Sequence, residues 1–202
     1  MSANTQPHIL QAPSAWVQRW SHLVAPDGCV LDVACGYGRH AKWFHDRSHP
    51  LTVVDREPEA IEFVATTIAP GKCEAVVADI ENGPWPFSGR EFDAVVVTHY
   101  LWRPLLPALL ASLAPGGVLI YETFAQGNET VGKPSRPDFL LKPGELLDVC
   151  RDLRVIAFED GFEEGAAQAT GGFGARFIQR IAAVRPPIGP VASQAPRRYP
   201  LA

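Results

Sequence analysis

Short runs of branched apolar residues alternate along this chain with stretches whose apolar positions recur every three or four residues. "CVLDVA", residues 29–34, is apolar apart from Asp32 and predicts a strand buried on both faces. "GRHAKWFHDR", residues 38–47, has the helical period and must end before Pro50, because a residue preceding proline is pushed out of the helical region. "LTVVD" (51–55) predicts a second strand, and "EPEAIEFVATTI" (57–68) a helix with Pro58 near its start, where a missing N–H costs nothing. "CEAVVADI" (73–80) and "FDAVVVTHY" (92–100) predict strands three and four. "PLLPALLASLA" (104–114) predicts a helix stopped by Pro115-Gly116-Gly117, and "VLIYETF" (118–124) a fifth strand. Such alternation predicts an α/β fold, a parallel sheet with helices on both faces.

Beyond Phe124 the pattern changes. A loop over residues 125–141 precedes the helical stretch "PGELLDVCRDL" (143–153). "RVIAFEDG" (154–161) and "ARFIQRIAAV" (175–184) then predict two strands joined by Gly/Ala-rich turn chemistry. They form a hairpin that ends a seven-stranded, mostly parallel sheet with an antiparallel edge. Long loops inside compact domains serve as lids or as mobile surface connections, and 125–141 is read as a lid over the substrate, with a surface connection as the alternative. Upstream, residues 1–12 are expected to be loosely structured, and 13–23 to form a short helix with Trp16, Trp20 and Leu23 on one face. Residues 1–185 thus read as one domain with residues 1–27 as an N-terminal cap segment. The proline-rich stretch 186–202 reads as a disordered tail.

A length of 202 residues suits a single core, and 47% hydrophobic with 20% charged residues is ordinary for a soluble globular chain. A net charge of -4 lacks the basic footprint of a nucleic-acid binder, so no nucleic-acid partner is expected. No basic-then-apolar leader and no membrane-length apolar run is present, which gives a cytoplasmic reading with no membrane partner. Cys29, Cys35, Cys73 and Cys150 lack C-x-x-C spacing and read as free thiols. His45 and His49 have a helical metal-ligand spacing but no third ligand nearby, so no metal site is expected. "GNETVGKP" (127–134) misses a phosphate-binding P-loop because Pro134 replaces the required hydroxyl. Oligomeric state is not legible in the sequence.

Ligands of open parallel sheets sit beyond the carboxyl ends of the strands. Those ends are Asp32 to Gly38, Asp55, Asp79-Ile80, Thr98 to Arg103, and Glu122 to Phe124. "GYGRHA" (36–41) satisfies the dinucleotide fingerprint, yet Asp32 just ahead of it would repel a pyrophosphate and suit an ammonium. That charge selects S-adenosylmethionine, which has no phosphate. Asp55 is placed to accept hydrogen bonds from ribose hydroxyls, with a helix N-cap as the alternative. Asp79 has a turn or cap role as its alternative. His99 is a candidate general base or a packed structural histidine. Tyr100 and Trp102 are candidate walls of an acceptor pocket, and Arg103 a candidate anchor for an anionic acceptor. Glu122 would hold a substrate amine or act as base, or be a buried carboxylate satisfied by its surroundings.

"LDVACGYGRHA", "VVD", "VVADIENGPWPF", "FDAVVVTHYL" and "LAPGGVLIYETF", in that order, resemble the class I S-adenosylmethionine-dependent methyltransferases over residues 28 to about 185. The resemblance implies their Rossmann-like fold, and assigns Asp32, Gly36 and Gly38 to the methionyl end and Asp55 to the ribose. It assigns Asp79 and the Ile80 backbone to the adenine. Ala34, Cys35, Arg39, Arg56 and Thr98 flank these positions and complete the expected cofactor set. His99, Tyr100 and Glu122 form the expected catalytic set. The family's first loop reads acid-x-Gly-x-Gly-x-Gly; Ala34 departs from it, tolerably if its φ stays negative. The run 121–147 is similar to small bacterial methyltransferases of the tellurite-resistance type. The implied activity is methyl transfer to a small-molecule acceptor at oxygen, nitrogen, sulfur or a metalloid. An NAD(P)-dependent oxidoreductase and a non-catalytic binder of S-adenosylmethionine are the alternatives.

Overall fold

A computed structural model describes residues 12–70, 73–165, 174–187 and 198–201. The strands are β1 (Val30–Val33), β2 (Leu51–Asp55), β3 (Cys73–Val77), β4 (Phe92–Thr98), β5 (Leu113–Phe124), β6 (Arg154–Glu163) and β7 (Arg176–Val184). The helices are α1 (Ala15–Trp20), α2 (Arg39–His45), α3 (Pro58–Phe63), α4 (Leu106–Ala111) and α5 (Glu145–Val149). One seven-stranded sheet has the order β3-β2-β1-β4-β5-β7-β6. β1 to β5 run parallel, and β7 lies antiparallel between β5 and β6. The expected fold class and closing hairpin are present.

Strand parity divides the core in two. Leu31, Val33, Val95, Val97, Leu119 and Tyr121 face one buried cluster, with α4 and α5. Val30, Ala94, Val96, Val118 and Ile120 face the other, where Trp16, Val17 and Trp20 of α1 pack with Phe44 of α2 and Ile61 of α3. Strand residues alternate between faces, so Asp32 and Glu122 belong to the second face. Both are buried there.

Several boundaries differ from the sequence pattern. The helix expected over 104–114 is a 3-10 turn, Arg103–Leu105, followed by α4. β5 starts at Leu113 and runs through Pro115-Gly116-Gly117, because Gly116 N–H donates to Arg185 O (2.8 Å) and Arg185 N–H to Gly117 O (2.9 Å). α3 passes into a wide π-type turn, Val64–Ile68. The 125–141 segment holds two 3-10 turns, Asn128–Thr130 and Pro137–Phe139, and its ends meet in a bridge between Ala125 and Leu141. Residues 1–11, 71–72 and 166–173 lie outside the described residues, as does most of the tail. The described end of that tail is anchored. Pro200 O lies 3.0 Å from His22 Nε2, and the Arg154 guanidinium sits over the Tyr199 ring.

Gly38 caps α2 with φ 77°, and a Cβ there would stand 2.6 Å from Val64 Cγ2. Two separate penalties therefore oppose a side chain at this position. Gly38→Ala is expected to cost about 3 kcal/mol, from a left-handed alanine and an overpacked contact. In a Val64→Ala background the second penalty disappears, and the same substitution should cost only about 1–2 kcal/mol. Urea unfolding of the four proteins checks this; equal costs in both backgrounds would refute the packing account.

Candidate functional site

A cavity of about 700 Å³ opens at the carboxyl ends of the parallel strands. Its first wall is the β1–α2 loop, residues 34–38. Ala34 has φ 52°, so the expected negative φ is corrected: the loop takes a left-handed step at Ala34, again at Gly36 (φ 52°) and at Gly38. At Gly36 nothing stands within 4 Å of where a Cβ would point, because this backbone faces the cavity. Asp55, ending β2, fixes the loop. Its Oδ2 accepts from Gly36 N–H (2.8 Å) and its Oδ1 from Glu57 N–H (3.0 Å). The carboxylate thus shapes the loop and the entry to α3 at once, and its remaining lone pairs stay available to a ligand.

After β3, Asp79 shapes the next turn. Its Oδ1 accepts from Glu81 and Asn82 N–H (3.0 and 3.2 Å), and its Oδ2 from Asn82 Nδ2 (2.9 Å). The Asn82 amide, followed by these two backbone N–H groups, holds its pKa below the usual range. Glu57, Glu59 and Glu81 also reach this part of the wall, so five carboxylates face the cavity with Asp55 and Asp79. Arg56 is the one Arg or Lys among the lining residues described.

Of the residues expected from the sequence, Ala34, Gly36, Asp55, Arg56, Asp79, Ile80, His99 and Tyr100 line the cavity. Asp32, Cys35, Gly38, Arg39, Thr98 and Glu122 do not. Asp32 lies beneath the loop, 1% exposed, and its Oδ2 has no hydrogen-bond partner among the described residues. Burial pushes its carboxyl up to about 7, against the pull of the Arg39 charge and the Ala41 N–H. Lying under the loop, it does not line the cavity; the acids that end β2, begin α3 and follow β3 do. Burial likewise raises the Cys35 thiol well above its usual range, leaving it un-ionised. Thr98 Oγ1 is 3.4 Å from Nδ1 of buried His40, whose Nε2 accepts from Ser14 N–H at 3.1 Å. Burial holds His40 neutral.

Glu122, expected in the catalytic set or as a buried, satisfied carboxylate, is buried and held by partners within the protein. Its Oε1 accepts from Ser14 Oγ (3.0 Å), and its Oε2 pairs with Arg180 Nη1 (3.2 Å), the residue directly opposite on β7. Arg180 also binds Glu159 on β6.

The ends of β4 and β5 make the other wall. His99 has φ 54°, and its N–H donates to Glu122 O (2.9 Å). Its Nδ1 is 3.4 Å from Arg39 Nη2 and its Nε2 3.1 Å from Arg176 Nη1. Nε2 also stands 4.0 Å from Glu122 Oε1, so both ring edges are engaged by the protein's own groups. It stacks on Phe124, centroids 5.1 Å apart and planes 30° apart. Burial, then the Glu81 charge, raises the Tyr100 phenol, which stays protonated. Arg103 is not a ligand anchor: it grips Glu145 with Nε and Nη2 (2.7 and 2.9 Å) and donates to Asp138 O and Leu140 O (both 2.8 Å). This staple flanks Phe139, which lines the cavity with Pro134 of the same loop; the Pro134 carbonyl accepts from Asn128 Nδ2 (2.9 Å). Sequence reasoning missed Glu57, Glu59, Glu81, Phe139 and Pro134 as lining residues. The acid-rich start of "REPEAIEF" was the available signal for the glutamates of α3; the loop residues had none.

Residues 30–117 match a family described as a methyltransferase domain. Nodulation protein S of Rhizobium tropici is 31% identical over 113 residues, 51% of this chain and 46% of that protein. The chain spans less than half the length of the curated relatives it matches. TehB from Haemophilus influenzae superposes with a TM-score of 0.68 at 18% identity, over 86% of this chain and 62% of that one. The glycopeptide N-methyltransferase MtfA, in complex with S-adenosylmethionine, has a TM-score of 0.58 at 18% identity, over 92% of this chain and all (100%) of that one. These likenesses establish the fold. No helix among the described residues is long and apolar enough to cross a membrane.

The raised Asp32 carboxyl has a sign that can be tested. Below about pH 4 it is protonated in both folded and unfolded chains. Between there and about pH 7 the unfolded chain releases its proton while the folded chain keeps it, so stability falls as pH rises. Asp32→Asn should therefore be more stable than the parent at pH 8, by about 2 kcal/mol, with the gap closing near pH 4. Denaturant unfolding at the two pH values measures it; a gap that widens on acidification would reverse the assignment.

Proposed function

We propose that this chain, which carries a methyltransferase domain on a class I methyltransferase fold, binds S-adenosylmethionine in the strand-end cavity and directs its methyl group to a small-molecule acceptor. One observation carries the reading: the glycine loop faces a cavity lined by five carboxylates and one arginine. A pyrophosphate brought there would meet net negative charge, whereas a sulfonium with an ammonium end would be attracted. The same observation disfavours the dinucleotide alternative that the fingerprint 36–41 allows.

The residues present fit the group in three places. Open backbone at Gly36 admits close approach, Asp55 stands at the end of β2 where two ribose hydroxyls would donate, and Asp79 with Ile80 closes the next strand end. When bound, S-adenosylmethionine supplies an electrophilic methyl whose carbon–sulfur bond breaks, its electron pair staying on sulfur, as the acceptor lone pair bonds to carbon. The chain's own part is positioning: the stacked wall of His99 and Phe124 orients an acceptor, and the stapled loop limits water. The acceptor's proton leaves to solvent, since the edges of His99 face arginines and the Tyr100 phenol is already protonated. Four free cysteines support a reducing, cytoplasmic setting.

Titration calorimetry with S-adenosylhomocysteine and with NADH tests the reading. Binding of the former and not the latter is expected, and the reverse would overturn it. Asp55→Ala should weaken S-adenosylhomocysteine by about 10- to 100-fold, because it removes both a ribose acceptor and the anchor of Gly36. An unchanged affinity would show that Asp55 takes no part.

A further inference from the structure

The cavity is electrostatically divided. Its acids stand at the ends of β2 and β3 and on the first turn of α3, and its one lysine-or-arginine cation, Arg56, lies among them. On the side of β4, β5 and the 125–141 loop the described wall is Tyr100, Leu101, Thr123 and Pro134 with the rings of His99, Phe124 and Phe139. Arg103, next to this half in sequence, is spent on Glu145 and on two loop carbonyls.

Resting on the proposed methyl transfer, we infer that the acceptor is a planar, uncharged aromatic or heteroaromatic molecule bearing an O–H, N–H or S–H nucleophile, stacked against the His99, Phe124 and Phe139 wall. Three arguments lead there. An oxyanion in this cavity would face five carboxylates, with Arg56 the one lysine or arginine among the described lining residues and with Arg39 and Arg176 engaged on the edges of the His99 ring. A cationic ring would stand beside the sulfonium. A flat neutral ring, in contrast, meets aromatic surfaces whose orientation is set in advance. His99 is held by its left-handed backbone, by the Phe124 stack and by guanidiniums at both ring edges. Phe139 is held by the Arg103 staple on either side of it, at Asp138 and Leu140. Ordering costs are thus already met before a ligand arrives, which favours stacking over a flexible polar grip. In the transfer the ring's heteroatom forms the bond to the methyl carbon and loses its proton to water.

The test uses the whole protein saturated with S-adenosylhomocysteine. 2-Naphthol and 4-hydroxyquinoline are titrated as planar neutral probes, and tellurite and selenite as oxyanions, with calorimetric detection. Both planar probes should bind and both oxyanions should fail to. Phe139→Ala, a half-buried loop residue, should weaken the planar probes about fivefold or more while leaving S-adenosylhomocysteine affinity unchanged. Oxyanion binding, or S-adenosylhomocysteine binding with no response to either planar probe, overturns the acceptor assignment alone. Equal affinity of the planar probes for the parent and Phe139→Ala overturns the wall. Failure of S-adenosylhomocysteine itself to bind overturns the proposed function and the acceptor assignment with it.

Discussion

The pair of buried Glu122 and half-buried Arg180 is the contact on which the rest of this structure turns. A carboxylate taken out of water in the middle of a sheet is costly unless it is paired and hydrogen-bonded, and removing one partner leaves the other charge stranded. Glu122 meets that requirement with groups from remote parts of the chain: Arg180 across the β5–β7 ladder, and the Ser14 hydroxyl that also caps α1. Arg180 extends the line to Glu159 on β6. A slip of one residue in the hairpin would turn Arg180 to the opposite face, so the pair fixes register as well as charge. The backbone carbonyl of the same Glu122 receives His99 N–H, which carries the constraint from the sheet to the cavity wall.

Function follows from how the strand ends distribute charge. β2 and β3 finish in aspartates whose oxygens organise the turns that follow, and the neighbouring glutamates add to them. β4 and β5 finish in a histidine and a phenylalanine stacked together. The ionic work on that side is done behind the wall, where Arg39, Arg176 and Arg180 meet Glu122, Glu163 and Glu159. The cavity therefore pairs an acidic side with a largely aromatic one.

Much of this was legible in the residues alone. Continuous apolar runs told strand from helix, and the ends of those runs located the cavity, because the sheet is parallel and buried on both faces. Asp55 was legible for the same reason. Asp32 was not: its strand has apolar neighbours on both sides, so the pattern did not show that the carboxylate would point under the loop instead of into the cavity. Ala34 misled because a positive φ is read most readily from glycine, and here it falls on an alanine. Glu122 and Arg103 looked like ligand groups since their partners, Arg180 and Glu145, are distant in sequence. Long-range pairing of this kind leaves no periodic trace. Phe139 was hidden in the same way, placed by a staple and not by any local propensity.

The Arg103 staple bears on how such a protein changes over generations. It ties the loop to the body through backbone carbonyls and through one glutamate, not through the side chains that face the cavity. Side chains at 134 and 139 can vary while the tether holds, and the acidic half across the cavity need not respond. One wall of the cavity can thus drift in small steps within an otherwise constant scaffold, a separation that lets the fold reshape one side of the cavity without disturbing the other.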